Sequence, residues 1–435
     1  MANNPQKKRH FFIALNSLFK QQSAQGTALV SADLDTRHAA QVTLEDVKQR
    51  ETVYDCYEQD IADEVIQSQL KRVTITYTAV TAQIILGWLA YLFGAAANPT
   101  GTAQNEVETV TIDATGGVFT WSKTHEGKTG TTAAMAFNAT AAVFQAAVEK
   151  IDWLAGNVTV TKAGQVFTVT YSGQLAKANL TQSTTNPAGL TGGAQTAVVV
   201  TTQQGGNNYH AVSRSTDDSL PPFSFATGFE SGTAANPEEF RDFRVESVNI
   251  TLPRRKNVGL TVVAVGRFTP EVLAGFAAPA CNNVTALKTA DCKARINGSW
   301  VGEDFWDGNI TVNNNAPVGD DAFGFDSIEI QTVERGEKPT QNFNLQILGS
   351  KGDAVYTLCE NESKVAVEIH LGRPGDRASI IAGNTKLKFG TNRTQYVGEA
   401  NRTAIQIEGT PHKNGSSAPV RAEGYIDQPT AFLQS

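Results

Sequence analysis

FRDFRVESVNITLPRRKNVGLTVVAVGRF, residues 240–268, decides the fold class of this chain. Apolar and polar side chains alternate over 243–252, the two-residue repeat of a half-buried strand. A second apolar-rich run covers 258–268. Between them Pro253-Arg-Arg-Lys-Asn257 reads as a long polar hairpin. Working outward, strand patterns recur at 71–80 and 223–225. Past residue 294 they recur at 310–312, 327–333, 343–348, 365–371, 386–389 and 404–408. The chain is therefore read as mainly β with a few helices, and its 37 glycines supply turns.

Composition narrows the function. Lys and Arg number 36 against 43 Asp and Glu, a net charge of −7. That balance disfavours gripping nucleic acid or anionic membrane by bulk charge. With 40% apolar and 18% charged residues, 435 residues can bury a sizeable core of two or three domains. Four cysteines (Cys56, Cys281, Cys292, Cys359) make no disulfide framework. Residues 1–10 are polar and basic but only a short apolar run follows, so no signal peptide is expected. AVTAQIILGWLAYLFGAAA (79–97) is too short in its strongly apolar part for a membrane span of about 20 residues. It reads as a buried helix begun at Thr81 and Gln83 and stopped by Asn98-Pro99.

The chain divides where its composition changes, near Asn98 and near QQGGNN (203–208). No arginine occurs between Arg72 and Arg214. Loop-forming edges of this kind mark one domain interrupting another. The interval 103–206 carries its own strands, including a turn at Gly116-Gly117 and a hairpin across Ala163-Gly164. A helix starts after Asn138-Ala-Thr140, with Val143, Ala147 and Ile151 on one face. It reads as a small α+β module. Around it lie a polar arm (1–70), a first β domain (71–102 with 207–290) and a second (291–435). A faint repeat matches KRVTIT (71–76) with KARING (293–298).

Chemistry is sparse. Six scattered histidines offer no metal-ligand spacing. For Cys281 and Cys292, zinc lacks two further soft ligands, leaving a local disulfide or two free thiols. Asp55, Asp60, Asp63 and Glu64 lack the spacing of a calcium loop and read as an acidic face, solvated or between subunits. Arg254, Arg255 and Lys256 form a basic hairpin tip suited to an acidic neighbour. Asn-X-Thr triplets at Asn249, Asn309 and Asn392 read as Asn- and Thr-rich strands, not glycosylation acceptors. No nucleophile elbow or phosphate loop occurs, so neither enzyme activity nor a cofactor is expected.

Several stretches resemble the tail tube (major tail) proteins of long-tailed bacteriophages. They are QQSAQGTAL (21–29) with DLD (33–35), YDCYEQDIADE (54–64) leading into KRVTIT (71–76), PFSF (222–225) and FRDFRVESVNITL (240–252). Separately, GGVFT (116–120), FNATAA (137–142), VTVT (158–161), FTVT (167–170) and VTTQQG (200–205) resemble a module found within phage virion proteins. The resemblance implies two tandem β-sandwich or barrel domains with the module outside. Subunits would form rings stacked into a tube that conducts DNA from the virion into the host cell. Three two-domain chains would make a pseudo-sixfold ring; without duplication, six chains would. Implied partners are further copies and the tape-measure, terminator and baseplate proteins, with DNA passing unheld and no membrane contact. The implied localisation is the virion tail. Glu329, Gln331 and Glu368 are expected to face the lumen, where carboxylates repel phosphate. The competing readings are another virion component, such as a capsid decoration or baseplate protein, and a β-sandwich carbohydrate binder. The latter would use Trp121, Trp300 and Trp306 as platforms.

Overall fold

A computed structural model describes residues 9–13, 40–54, 61–215, 220–229, 238–267, 269–272, 285–301, 305–315, 339–397, 402–413 and 418–433. The chain is mainly β. It opens with β1 (Arg9–Ile13), β2 (Ala40–Tyr54), β3 (Ile61–Tyr77), α1 (Ala82–Phe93) and the short β4 (Gly94–Ala96). β2 and β3 pair along almost their whole length, so 40–54 and 61–70 belong to a sheet and are not part of an irregular arm. Its strand signal is weak because one face carries Gln41, Thr43 and Glu45, while on the other only Val42 and Leu44 pack against the core, each half-buried. α1 is buried all round, which explains its unbroken apolar run. The Thr81 hydroxyl accepts from the Ile84 amide at its start. Gly94, at φ 84°, ends it four residues before Asn98.

The interruption is a two-sheet sandwich with its own core. It comprises β5 (Val107–Asp113), β6 (Gly116–His125), β7 (Lys128–Thr131), β8 (Met135–Ala136), α2 (Ala141–Val148), β9 (Val158–Ala163), β10 (Val166–Tyr171), β11 (Thr184–Thr191) and β12 (Thr196–Gln203). One sheet runs β12-β5-β10-β9 and the other β11-β6-β7, with β8 on β6. The hairpin across Ala163-Gly164 forms as expected. Gly116-Gly117, by contrast, carries the chain from one sheet to the other. A side chain at Gly117 (φ 85°) would meet the Gly189 carbonyl at 2.2 Å. α2 buries Phe144 and Val148 and leaves Val143 52% exposed. The expected face is displaced because Phe144, the largest apolar side chain of the helix, packs edge-on against Phe119, Trp121 and Phe167.

After the module come β13 (Asn208–Arg214), β14 (Phe223–Phe229), β15 (Glu238–Leu252), β16 (Gly259–Gly266) and β17 (Glu271–Val272). Then follow β18 (Lys293–Ile296), β19 (Ser299–Val301), β20 (Phe305–Asn313), β21 (Thr340–Leu348), α3 (Ala354–Glu360), β22 (Lys364–Arg373), β23 (Asp376–Val397), β24 (Arg402–Pro411) and β25 (Arg421–Ile426). One topology occurs twice. In the first unit β1 pairs β14, β14 pairs β15, β15 pairs β16, β16 pairs β3 and β3 pairs β2, with α1 following β3. In the second, β18 pairs β22, β22 pairs β23, β23 pairs β24, β24 pairs β21 and β21 pairs β20, with α3 following β21. Strand β3 thus corresponds to β21 and β18 to β1, so the match of residues 71–76 with 293–298 is out of register.

The units share a core that runs from Val73 to Phe432. Two seams cross the 290/291 divide: β15 pairs β20, and β13 pairs β25. The first makes one continuous eight-strand sheet in the order β2-β3-β16-β15-β20-β21-β24-β23.

The module leaves and rejoins the body through the bridges Thr100↔Tyr209 and Gln104↔Gly206. Because the two cores are separate and these ends adjacent, deleting residues 104–205 is expected to leave a cooperatively folding body. Circular dichroism and thermal melting check this; a chain without a melting transition refutes it.

Candidate functional site

The eight-strand sheet buries one face. Val73, Ile75, Val248, Ile250, Ile310, Val312, Phe343 and Leu345 all point into the core. Alternation then sends the intervening residues to the other face, and register lines them into rows. Gln41, Thr76, Thr261, Asn249, Thr311 and Asn342 lie directly opposite one another across six strands. Thr43, Thr74, Val263, Ser247, Asn313 and Thr340 form the next row through the same pairings. These rows contain hydroxyls and amides but no charge. The ionic groups nearby are matched, with Arg72 3.4 Å from Glu246 and Lys388 3.0 Å from Glu408. At one end of the face Thr76, Thr251, Thr261, Pro253, Lys256 and Asn257 line an open hollow of about 570 Å³. Among the described residues no group of His, Cys, Asp or Glu is arranged to hold a metal.

Among the described residues the sheet ends in two open edges. The first half of β15 pairs β14, and its second half lies between β16 and β20. β23 repeats this as far as β22 and β24. Beyond Leu387 β23 still pairs β24 on one side, but on the other side, where β20 sits in the first unit, no strand among the described residues pairs with it. β2, the counterpart of β20, pairs only β3 among the described strands.

The residues singled out in the sequence scatter. Arg254, Arg255 and Lys256 do form the β15–β16 tip. Arg255 adopts φ 56°, and Lys256 donates its amide to the Pro253 carbonyl and accepts from Thr289. Replacing all three by Glu is expected to impair self-assembly, read as shorter or absent polymers by electron microscopy; polymers of normal length would refute a contact role. Asp55 and Asp60 lie outside the described residues, as do Glu329, Gln331 and Cys281. The backbone of Asp63 and Glu64 is in β3, opposite Val53 and Thr52. Glu368 is in β22, off the eight-strand sheet, 3.6 Å from Arg295 and 3.4 Å from the His370 ring. Trp121 is fully buried, and Trp300 lies 5.1 Å from the His370 ring beneath the module's Gly127, so neither is an exposed platform. The uncharged rows were missed as a site, although the Asn249 and Asn309 triplets were their signal. Cys292 is buried, which pushes its thiol up to about 12.

Glu368 lies beside the joint that fixes the module to the second unit. Glu126, at the β6–β7 tip with φ 48°, accepts from Lys293 Nζ at 2.6 Å and from Arg377 Nη1 at 2.5 Å. Its side chain is 7% exposed. Burial alone would raise its carboxyl, but the Lys293 hydrogen bond and the Arg377 and Lys293 charges together lower it. Burial, helped by the same cations, depresses His125 to about 4 and His370 to about 3. A second contact pairs Lys177 with Asp427 at 2.7 Å. There the Gly375 backbone packs so closely on Ala176 that a Cβ would lie 1.9 Å from its carbonyl oxygen.

No protein-family model matches the chain, and a search of curated proteins finds no relative.

Proposed function

We propose that the chain is a structural virion protein, the subunit of a phage tail tube, in which copies join edge to edge into rings that stack around a DNA conduit. The observation that carries this reading is the duplicated unit whose internal β15–β20 seam has counterpart edges, β23 and β2, that no described strand pairs. An unpaired edge is a template for another strand, and addition of the next copy's β2 to β23 would repeat the internal seam. Three chains would then alternate internal and intermolecular seams around a pseudo-sixfold ring, whose closure removes the edges.

The register transposes from one unit to the other. Val73, Ile75 and Tyr77 correspond to Phe343, Leu345 and Ile347, the alternating buried residues of β3 and β21. Leu44 opposite Val73 then corresponds to Ile310 opposite Phe343. Likewise Ile250 opposite Leu260 corresponds to Thr394 opposite Ile405. Since Ile250 faces Ile310 and Thr251 faces Asn309, Thr394 would face Leu44 of the next copy and Gln395 would face its Thr43.

In that ring the uncharged rows of Asn, Thr and Gln would line the bore. Short neutral side chains offer passing phosphates no cation to release counterions against, so cargo is not retained. This differs from the lining expected of the Glu329 and Glu368 carboxylates with Gln331. The module, held on the second unit, would stand outside. Negative-stain imaging and the mass of an isolated ring test the proposal. Tubes of constant bore with three chains per ring are expected; a chain that stays single under all assembly conditions refutes it.

A further inference from the structure

The module's interior holds a charged cluster that neither the assembly edges nor the joint uses. Lys123 on β6 is fully buried, with Nζ 2.8 Å from Glu108 Oε1 and 3.3 Å from Glu106 Oε1. Both carboxylate side chains are as deeply buried. β5 and β6 belong to different sheets, so the Lys123–Glu108 contact crosses the sandwich. Glu108 also accepts from the Tyr171 hydroxyl at 2.7 Å, from the Ser183 amide at 2.9 Å and from the Ser183 hydroxyl. Glu106 Oε2 accepts from the Leu180 amide at 2.8 Å and from Gln204 Nε2 at 3.4 Å. The Tyr171 ring centroid lies 4.3 Å from Nζ. Holding ions away from water carries a desolvation cost that their mutual attraction must repay.

We propose that Lys123 Nζ and Glu106 Cδ condense, without any helper molecule, into an internal amide that staples the two sheets together. The Glu108 carboxylate takes one proton from the Lys123 ammonium, and the freed amine attacks Cδ of the neutral Glu106 carboxyl. The Nζ–Cδ bond forms and the Cδ–Oε1 bond breaks. Oε1 leaves as water, carrying the carboxyl's own proton and one from the amine. Nothing is oxidised or reduced, and no co-reactant is consumed.

The surroundings suit each part. Burial raises the Glu106 carboxyl above its ordinary range, against the Leu180 amide and Lys123, which favours the acid form that an amine can attack. The Leu180 amide sits on Oε2, the oxygen that gathers negative charge in the tetrahedral intermediate. Fixed proximity replaces a bimolecular encounter. In the product, the new N–H keeps Glu108 Oε1 as its acceptor and the new carbonyl keeps the Leu180 amide. The interior ion pair is gone, which removes a desolvation cost the folded module otherwise bears.

The test is the intact mass of the denatured full-length chain, followed by peptide mapping. The proposal expects a chain lighter than its sequence by one water, and a branched peptide joining Glu106 to Lys123. The Lys123→Met chain should have its full sequence mass, and Glu108→Gln should lose most of the deficit. An unmodified mass in the native sequence overturns the proposal, as does a branch at any other pair of residues. A full water loss in Glu108→Gln overturns the proton transfer to Glu108. None of these outcomes depends on whether rings form.

Discussion

A chain with cysteine at both position 43 and position 395 is expected to close into a covalent ring on mild oxidation, running as a trimer on a non-reducing denaturing gel. Each single variant, Thr43→Cys or Gln395→Cys, should remain monomeric. The expectation follows from transposing the Thr251–Asn309 pair of the internal seam onto the two open edges. Directly opposed residues of an antiparallel pair hold their Cβ atoms about 5 Å apart, within reach of a disulfide after small adjustment. The buried Cys292 and Cys359 are poor competitors, because a buried thiol reacts slowly; Cys56 and Cys281 are replaced by Ser in every chain compared. The effect is close to all-or-none, since a shift of one residue turns the two side chains to opposite faces. A ladder ending at six chains would reject the threefold ring. Tubes seen by microscopy without any crosslink would reject the β2–β23 seam.

Removing the Glu126 carboxylate should have the next largest effect. Glu126→Ala leaves Lys293 and Arg377 without the carboxylate they share. Breaking a buried ion pair from one side costs about 3 kcal/mol, and the partial exposure of Lys293 and Arg377 reduces that somewhat. Because module and body have separate cores, the loss should appear as two calorimetric transitions in place of one, with faster proteolytic release of the module. A single unchanged transition would show that the Lys177–Asp427 contact suffices. Acid should act in the same direction. His125 and His370 titrate lower in the folded chain than in the unfolded one, so their contribution is complete above about pH 6.5. It is lost as pH falls towards 4 and then 3. Glu126, also depressed, adds a loss below its unfolded value. The joint therefore loosens on acidification and tightens again towards neutrality.

The sequence disclosed the architecture unevenly, for physical reasons. Strands with one buried face, such as Phe243 to Leu252, announce themselves by alternation, and the module's edges by their loop chemistry. β2 was hidden because at its start one face is polar and the other only half-buried, which dilutes the pattern. α3 was missed because seven residues give too few turns for a period to register. The site was harder still. Asn249 and Thr311 were recognised as strand residues, but only register shows that they share a row with Thr76, Thr261 and Asn342. Glu126 carried no local signal at all, since its partners stand far along the chain at Lys293 and Arg377.

The β15–β20 pairing also bears on how such a ring would grow. That contact forms as each chain folds, independent of concentration, so half the joints of a threefold ring are complete before any two copies meet. Building it takes two encounters where six separate units would need five, the last joint closing within the assembly, which lowers the reaction order of nucleation and lets assembly begin from a more dilute pool.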